Sequence, residues 1–459
     1  MSLTQIKTET GDFVNEAVLE LINENPITIT PLHDLLIKMN TVDIAEVFES
    51  LDKEKTIQVF RLLPKSLAAD VFSYIVPRTQ QVIVEALTDG EVGKIINELY
   101  MDDAVDFIEE MPANVVERVL KNIYDDKRQL INQLLQYPED SAGSIMTTEY
   151  IALREDASVR EAFDTIRATG VNKETIYTCF VIRRDRLLVG VISAKTLLLS
   201  KPQDRIGDIM DARLILAHTT DDQENIADLF RKYDLLSLPV VDKEQRLVGI
   251  VTVDDIVKVI GEEFGEDIEK MAALNPSYEP YLDSKIFRLA GNRIVWLMVL
   301  MLSATLTGYI ISSFEESLAV MPALVAFIPM LMGTGGNAGS QASTLIIRGI
   351  ALGEIQPRDI VRVIWREVRI GLICGTALGL VNFIRVYITN SQDAMLSLAV
   401  TLSLIVTVIL AKSVGCLLPL AARKLGIDPA LLAAPLISTL IDCTSLLVYF
   451  TIARMILQI

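Results

Sequence analysis

An aspartate stands in the middle of an apolar stretch near the C-terminal end of the sequence. Between Pro429 and Ala453 the one charged residue is Asp442, in the segment LISTLIDCTSLL. A carboxylate inside a membrane span costs at least a few kcal/mol, so such residues usually have a function. Ser438 and Ser445 share its face at helical spacing. This pattern predicts a polar pathway, with a structural ion pair to Lys412 as the alternative.

A second polar stretch, MGTGGNAGSQAST at 332–344, lies inside another apolar segment. Thr334, Asn337, Gln341 and Thr344 recur at helical spacing and would line one face. The glycines at 333, 335 and 336 permit irregular backbone, which is tolerated at membrane depth where it lines a cavity or is buried in protein. Small residues and amides also mediate contacts between membrane helices. The glycines alone favour such contacts, whereas glycines, amides and an aspartate together favour a polar pathway.

Five apolar segments in the C-terminal part of the chain are candidates for membrane spans, each of which needs about 20 residues. They are 294–314, 317–347, 370–384, 394–411 and 429–453. The third is short and spans only if the flanking Arg369 and Arg385 snorkel. Lys and Arg cluster before the first segment and after the second and fourth. This bias predicts an integral plasma (inner) membrane protein with its N-terminus inside and its C-terminus outside.

The two parts of the chain differ in charge. Residues 1–284 hold 52 of the 60 acidic residues but only 29 of the 42 basic ones. So acidic a region repels nucleic acid and attracts cations. The stretch MSLTQIKTETGDF lacks an apolar core, so no signal peptide is expected, and the four cysteines lack the spacing of disulfides or zinc ligands. With two histidines and no nucleophile–base pairing, an enzyme is not expected.

Two internal repeats organise the acidic part. Between residues 40 and 135, the segments DIAEVFESL, AADVFSYIV and AVDFIEEM are similar and are separated by Pro or Asp turns, which predicts an α-superhelix. Asp102 and Asp106 lie four residues apart there, on one helix face. For each acid taken singly, a solvated position or an N-cap is the favoured interpretation. Between 141 and 260, two copies read strand, helix, strand, strand, helix, with LPVV and LVGIVTV as buried strands.

The second repeat resembles a tandem pair of cystathionine-β-synthase (CBS) domains. Both copies carry an IM start and an RL-VG hairpin, and the second has the LPVVD strand. In that family a Gly-x-x-Thr-x-x-Asp run can meet the ribose and phosphates of an adenine nucleotide such as ATP. The second copy has it as Gly249, Thr252 and Asp255, whereas the first ends in Thr196. A role in the fold alone is the alternative.

After these domains comes GEEFGEDIEKMAAL at 261–274, a helix-like segment with five acids and one lysine. Like charges at this density repel each other unless something neutralises them, and divalent cations would do so.

The order of these parts resembles the MgtE family of magnesium channels over essentially the whole chain. YPEDSAGSIM, VGIVTVDD, GTGGNAGSQASTLIIR and LGIDPALLAAPLISTLIDCTSLL are similar to motifs of that family. The resemblance implies a multi-domain membrane protein. Its expected parts are an all-α superhelical domain at 1–136, two α/β CBS domains at 137–204 and 205–260, a long acidic connecting helix with its linker at 261–284, and a five-helix transmembrane domain at 285–459.

The resemblance also implies a homodimer in the lipid bilayer that conducts Mg²⁺ inward along its two-fold axis. Asp442, Asn337 and Gly333 match the pore. Two Asp442 carboxylates would neutralise one Mg²⁺, and a sparse set of oxygens can hold an ion that keeps much of its water. A Co²⁺ or Mn²⁺ transporter or exporter, or a membrane sensor of Mg²⁺ or nucleotide that does not conduct, are the competing hypotheses.

By the same resemblance, intracellular Mg²⁺ closes the pore by bridging carboxylates that otherwise repel each other. The matching positions are Asp70, Asp102, Asp106, Asp222, Glu224, Asp234, Asp255, Glu263, Glu266, Asp267 and Asp428. Two residues depart from the family pattern. Lys258 stands where an acid occurs, and Lys412 stands where a neutral polar residue is expected, so Lys412 should face away from the pore or pair with an acid.

Overall fold

The computed structural model describes residues 18–22, 29–277, 281, 284–389, 393–432 and 434–458. The chain forms two compact units, residues 1–260 and residues 261–459. The first seventeen residues and residues 23–28 of the predicted superhelix lie outside the described residues, as does most of 278–283 in the predicted linker.

Short helices form the N-terminal part of the first unit. After a helical stretch at 18–22 they are α1 (Ile29–Leu36), α2 (Thr41–Glu49), α3 (Lys53–Phe60), α4 (Lys65–Tyr74), α5 (Pro77–Ala86), α6 (Asp89–Glu98), α7 (Met101–Glu110), α8 (Ala113–Asn122) and α9 (Asp125–Leu134). Their starts follow the predicted turns. Asp52 accepts hydrogen bonds from the amides of Glu54 and Lys55, and Thr88 forms a capping box with Glu91.

A ladder of aromatic rings runs through these helices. Phe48, Phe60, Phe72 and Phe107 make successive edge-on contacts with centroid separations of 6.0, 6.1 and 5.3 Å. Three of these rings come from the three similar segments identified in the sequence. Helices two positions apart along the chain pack together, as with α2 on α4 and α4 on α6. The predicted helical repeat is confirmed.

Two similar three-stranded sheets follow. The first copy contains β1 (Ala152–Arg154), α10 (Val159–Thr169), β2 (Thr178–Ile182), β3 (Leu188–Ser193) and α11 (Ala194–Leu199), and a short α12 (Ile206–Ile209) follows it. The second contains β4 (Ala217–His218), α13 (Gln223–Tyr233), β5 (Ser237–Val241), β6 (Leu247–Thr252) and the start of α14 (Val253–Met271). In each sheet the first strand is parallel to the second and the second is antiparallel to the third. This confirms the predicted order of elements.

The segment that precedes each copy crosses to the other copy. Thr147 exchanges backbone hydrogen bonds of 2.8 and 2.9 Å with Ile250 on β6. Asp211 likewise exchanges bonds of 2.8 and 3.0 Å with Val191 on β3. The crossing explains two sequence motifs, because a Cβ at Gly249 would collide with the sulfur of Met146 in one IM pair. Gly190 has the same relation to Met210 in the other.

The second unit consists of long helices after residue 284. They are α15 (Ile286–Ser313), α16 (Glu315–Val320), α17 (Ile328–Ala351), α18 (Ile360–Thr389), α19 (Ala394–Leu425) and α20 (Ala434–Leu457). In the described residues, four helices are long and apolar enough to cross a membrane, namely α15, α18, α19 and α20. The second predicted span, 317–347, corresponds to α17, which has 24 residues, contains the polar stretch and is not among these four helices. Helix α19 packs against α17, α18 and α20.

Close helix contacts in this unit depend on glycine. Gly371, Gly375 and Gly379 follow each other at four-residue spacing on α18, and a Cβ at each would lie 2.9 to 3.1 Å from atoms of Ile405 or Ile409 on α19. Small residues at this spacing let two membrane helices approach each other closely.

A buried ion pair joins the same two helices. Lys412 on α19 and Glu367 on α18 are 6% and 7% exposed, and their Nζ and Oε2 atoms are 3.9 Å apart. The expectation that Lys412 pairs with an acid is therefore confirmed. The alternative that Lys412 pairs with Asp442 is wrong, because its carboxylate partner is Glu367.

Removing one member of this pair is expected to destabilise the second unit. Glu367→Gln or Lys412→Met leaves the other charge buried without its partner, which costs about 3–5 kcal/mol in comparable sites. The double variant Glu367→Leu/Lys412→Met should recover most of the loss. The measurement is the thermal midpoint of the detergent-solubilised protein by fluorescence-detected size exclusion. Single variants as stable as the wild type would show that the pair contributes nothing.

Candidate ion pathway and carboxylate clusters

Helix α17 has two faces of opposite character. Asn337, Gln341 and Thr344 are exposed on one face together with Gly333, and a Cβ at Gly333 would meet no atom within 4 Å. The opposite face consists of buried small and apolar residues packed on α19 and α20. The helix is regular through the glycines, so they create no break in the backbone. The predicted polar face is therefore presented on a continuous helix.

The buried glycines of α17 serve helix packing. A Cβ at Gly335 would lie 2.9 Å from the hydroxyl oxygen of Ser445, and one at Gly336 would lie 3.5 Å from that of Ser438. Gly339 lies against Ile441 and the backbone of Ala411. These glycines therefore allow close contact between helices rather than lining a cavity. Ser438 and Ser445 of α20 are used in the same contact.

Asp442 lies between Ser438 and Ser445 on α20 and is partly exposed. Among the described residues, no side chain forms an ion pair or hydrogen bond with its carboxylate. Asn337, the predicted amide ligand, is on the neighbouring α17 and is exposed. The structure thus places the pore candidates on two helices that pack together, with both polar groups outside the packed contact.

A carboxylate cluster lies next to Lys270 in the second unit. Its Nζ is 2.9 Å from Oε1 of Glu266 and 2.8 Å from Oδ2 of Asp428. The other oxygen of Asp428 accepts a hydrogen bond from the amide of Ala430. Burial, together with the nearby Asp428 carboxylate, raises the pKa of Asp267. Three of the predicted regulatory acids, Glu266, Asp267 and Asp428, are therefore brought together around one ammonium group.

A larger cluster forms in the first unit, where α7 approaches the start of α14. Asp102 is 7% exposed, and its Oδ1 has no hydrogen-bond partner in the described residues. Burial and the neighbouring carboxylates of Asp255 and Asp103 raise the pKa of Asp102 well above its usual range. Burial and Asp255 also raise the pKa of Glu174 to about 8. These shifts report mutual repulsion of carboxylates in a partly desolvated site.

Lys258 lies within this cluster, one turn after Asp255 on α14. Its Nζ is 3.4 Å from Oδ1 of Asp255. Burial alone would lower the pKa of Lys258, but the carboxylates of Asp255, Asp103, Asp106 and Asp102 raise it above its ordinary value. The position at which the sequence departs from the family pattern therefore carries a positive charge in the cluster.

Other predicted regulatory acids lie apart from these clusters. Asp70 on α4 is exposed, and burial of part of its carboxylate together with the charge of Glu98 raises its pKa. Asp222 is the N-cap of α13 and accepts a hydrogen bond from the amide of Glu224. Asp234 ends the same helix in a left-handed conformation, about 18 Å from Asp222 by helix geometry. One chain therefore does not bring Asp222 and Glu224 together with Asp234.

The candidate nucleotide residues lie at the end of β6 and the start of α14. Thr252 is buried and donates a hydrogen bond of 2.5 Å to Oδ2 of Asp255. Gly249 is explained by its contact with Met146. In the first copy, Ser193 and Thr196 occupy the corresponding turn, with their hydroxyl oxygens 2.9 Å apart.

A solvent-open cavity of about 630 Å³ lies away from these residues, at the hairpin end of the first copy. Four arginines and four acids line it.

Within the described ranges, no three His, Cys, Asp or Glu side chains form a group that could hold a metal ion. The carboxylates of the two clusters are neighbours rather than a preformed cage.

The sequence did not identify Asp103, Glu174 and Glu367 as site residues. Asp103 adjoins Asp102 and could have been included, whereas Glu174 lies in a loop after α10 and Glu367 in an arginine-rich segment, where no local pattern marks them.

Comparison with known protein families agrees with this organisation. Residues 39–140 match the MgtE intracellular N domain, and residues 142–201 and 206–262 each match the CBS domain. Residues 328–452 match the MgtE family, described as a divalent cation transporter.

Similar proteins extend the match along the chain. The magnesium transporter MgtE of Thermus thermophilus is 37% identical over 432 residues, which cover 93% of this chain and 95% of the relative. The Bacillus subtilis magnesium transporter MgtE is 33% identical, with 93% and 94% covered. A solved structure of the cytosolic domain of the Mg²⁺ channel MgtE in complex with ATP is 34% identical, covers 54% of this chain and 99% of its own, and has a TM-score of 0.50.

The family matches cover the helical, CBS and membrane regions in the order in which the sequence presents them. Identity of 37% extends over nearly all of both chains. The chain is therefore a member of the MgtE family of divalent cation transporters, a family of transporters and not of enzymes.

Proposed function

We propose that the protein is a Mg²⁺-selective channel for Mg²⁺ uptake, with Asp442 holding the permeating ion. The observation that carries this proposal is the environment of Asp442. Lys412, the other charge deep in a predicted span, is engaged by Glu367. The Asp442 carboxylate has no charged partner among the described residues and is partly exposed. An intramembrane carboxylate in this state attracts a cation.

The pore is proposed to form between two copies of the chain. In a homodimer, two Asp442 carboxylates neutralise one Mg²⁺, and Asn337 with backbone oxygen near Gly333 supplies further ligands. The exposed polar face of α17 supports this, because the described residues of one chain leave that face uncovered. Mg²⁺ gives up water reluctantly, so a site with few protein ligands lets the hydrated ion enter and leave.

The acidic N-terminal domains are proposed to lie in the cytoplasm and to close the pore when Mg²⁺ is abundant. The helical region of the chain matches a domain described as intracellular. The crowded carboxylates around Asp102 and around Asp428 repel each other in the absence of cations. Bound Mg²⁺ stabilises the compact arrangement, so it shifts the population toward the closed state. The C-terminus then lies outside the cell.

ATP binding at the second CBS domain is a further part of the proposal. It rests on the ATP complex of the 34% identical relative and on the Thr252–Asp255 pair at the end of β6.

Asp442→Asn is expected to reduce Mg²⁺ flux into proteoliposomes by about tenfold or more. The amide keeps the size of the side chain but loses the charge, and hydrogen bonds to charged groups are the stronger ones. Glu354→Gln, an exposed acid after α17, is the matched control and should retain wild-type flux. Flux equal to wild type in Asp442→Asn would remove this residue from the pathway, and flux of Co²⁺ or Mn²⁺ in preference to Mg²⁺ would reassign the ion.

Asp102→Asn is expected to weaken the response of the first unit to Mg²⁺. The substitution removes a buried charge whose Oδ1 lacks a partner, so repulsion without Mg²⁺ falls and the gain on Mg²⁺ binding falls with it. Hydrogen exchange of the α7 amides in the full-length protein, with and without Mg²⁺, measures this response. The exposed Asp126→Asn on α9 is the control. A Mg²⁺ response as large as that of the wild type would exclude Asp102 from the regulatory site.

Thr252→Val is expected to weaken the binding of a fluorescent ATP analogue to the purified protein by about tenfold, because it removes the hydroxyl that orders Asp255. Thr196→Val in the first CBS copy is the control. Equal weakening by both variants, or by neither, would argue against a nucleotide site at the second copy.

A further inference from the structure

Lys258 is the feature of the acidic cluster that the proposed Mg²⁺ gate leaves unexplained. The cluster combines Asp102, Asp103 and Asp106 of α7 with Asp254 and Asp255 of α14. Glu149 and Glu174 from the first CBS copy also act on it. These groups come from three parts of the chain that are distant in sequence. Bringing so many carboxylates together without a positive charge would oppose the folded arrangement.

Two lysines face this cluster, and they have different roles. Lys127 of α9 is buried, and its ammonium donates hydrogen bonds to the backbone carbonyls of Leu99 and Asn97 at the end of α6. That ammonium therefore caps the C-terminal end of α6. The ammonium of Lys258 instead lies 3.4 Å from Oδ1 of Asp255. Because the Thr252 hydroxyl occupies Oδ2 of the same carboxylate, each oxygen of Asp255 has its own donor.

Two buried carboxylate oxygens of this cluster are not bonded to Lys258. Oδ1 of Asp102 and Oε2 of Glu174 are buried and have no hydrogen-bond partner in the described residues. The Lys258 side chain is 54% exposed, so its ammonium stands at the mouth of the cluster rather than beneath it. The ammonium of Lys258 thus contacts Asp255 on its own helix, and its charge also acts on the carboxylates of Asp102, Asp103 and Asp106 on α7. Asp102 and Glu174 keep oxygen atoms that it does not bond.

We infer that the Lys258 ammonium is a built-in cation of this cluster, which holds α7 and the start of α14 together when Mg²⁺ is scarce. This inference rests on the proposed function, in which Mg²⁺ closes the pore by bridging the same carboxylates. Without Lys258, bound Mg²⁺ would also have to supply the positive charge that this lysine contributes. With Lys258 in place, closure of this part of the protein requires less bound Mg²⁺ and depends less steeply on its concentration.

The experiment measures hydrogen exchange of the α7 amides in the full-length protein, first in EDTA and then across a Mg²⁺ titration. Lys258→Met should speed exchange in EDTA about fivefold, the effect of losing an ion pair at a partly exposed site. Lys258→Asp should speed it further and should be returned to the wild-type rate by Mg²⁺, with a steeper titration. Lys258→Arg keeps the charge and should resemble the wild type. The exposed Lys243→Met in the β5–β6 turn is the matched control.

The exchange rate of the α7 amides in EDTA tests the role of Lys258 without any measurement of transport. If Lys258→Met and Lys258→Asp both exchange like the wild type without Mg²⁺, the lysine is a solvated surface residue and the inference fails. Flux that needs Asp442 and falls with Mg²⁺ in those variants would still support the proposed function. If α7 opens in Lys258→Met but Mg²⁺ affects neither exchange nor flux, the built-in cation stands and the Mg²⁺ gate is overturned.

Discussion

Repulsion between carboxylates is the constraint around which both units are organised. Around Asp102 and around Asp428, acids come close enough to disfavour one another's ionised form. In each place a lysine from the chain reaches into the group, Lys258 in the first unit and Lys270 in the second. Neither lysine balances its whole cluster. The folded chain therefore holds a negative charge that cations can relieve, and the proposed Mg²⁺ gate depends on this property.

The membrane region meets a related constraint with a different solution. Helix α17 has to pack tightly and also carry polar groups, and it separates the two tasks by face. Gly335, Gly336 and Gly339 allow α19 and α20 to approach closely. Asn337 and Gln341 remain exposed on the other side. Among the described residues of this region, the buried charged side chains are Glu367 and Lys412, which form an ion pair between α18 and α19. Asp442 is thereby left as the carboxylate of α20, which the pair between α18 and α19 does not engage.

Local sequence patterns predicted a large part of this structure. The helical repeat, the strand order of the two CBS copies and the long membrane helices all follow from periodicity, turn residues and apolar length. The two faces of α17 could be predicted only in part, since spacing identifies a polar face but does not say which glycines pack. Pairings between distant segments left no local signal. Glu367 and Lys412 are 45 positions apart, and Glu174 joins Asp255 from a loop of the other CBS copy, so these contacts required the folded chain.

Because of the crossed segments of the CBS pair, the parts of the first unit are connected in space in a different order from their order in sequence. The chain leaves the helical domain and bonds first to the second CBS copy, through Ala142 to the turn after β4 and through Thr147 to β6. A pull on the helical domain is therefore carried by β6, the strand that leads directly into α14. The first CBS sheet lies to the side of this line of force. The first CBS copy stands between the helical domain and α14 in sequence, but it acts on their junction through the carboxylate of Glu174 rather than through this strand connection.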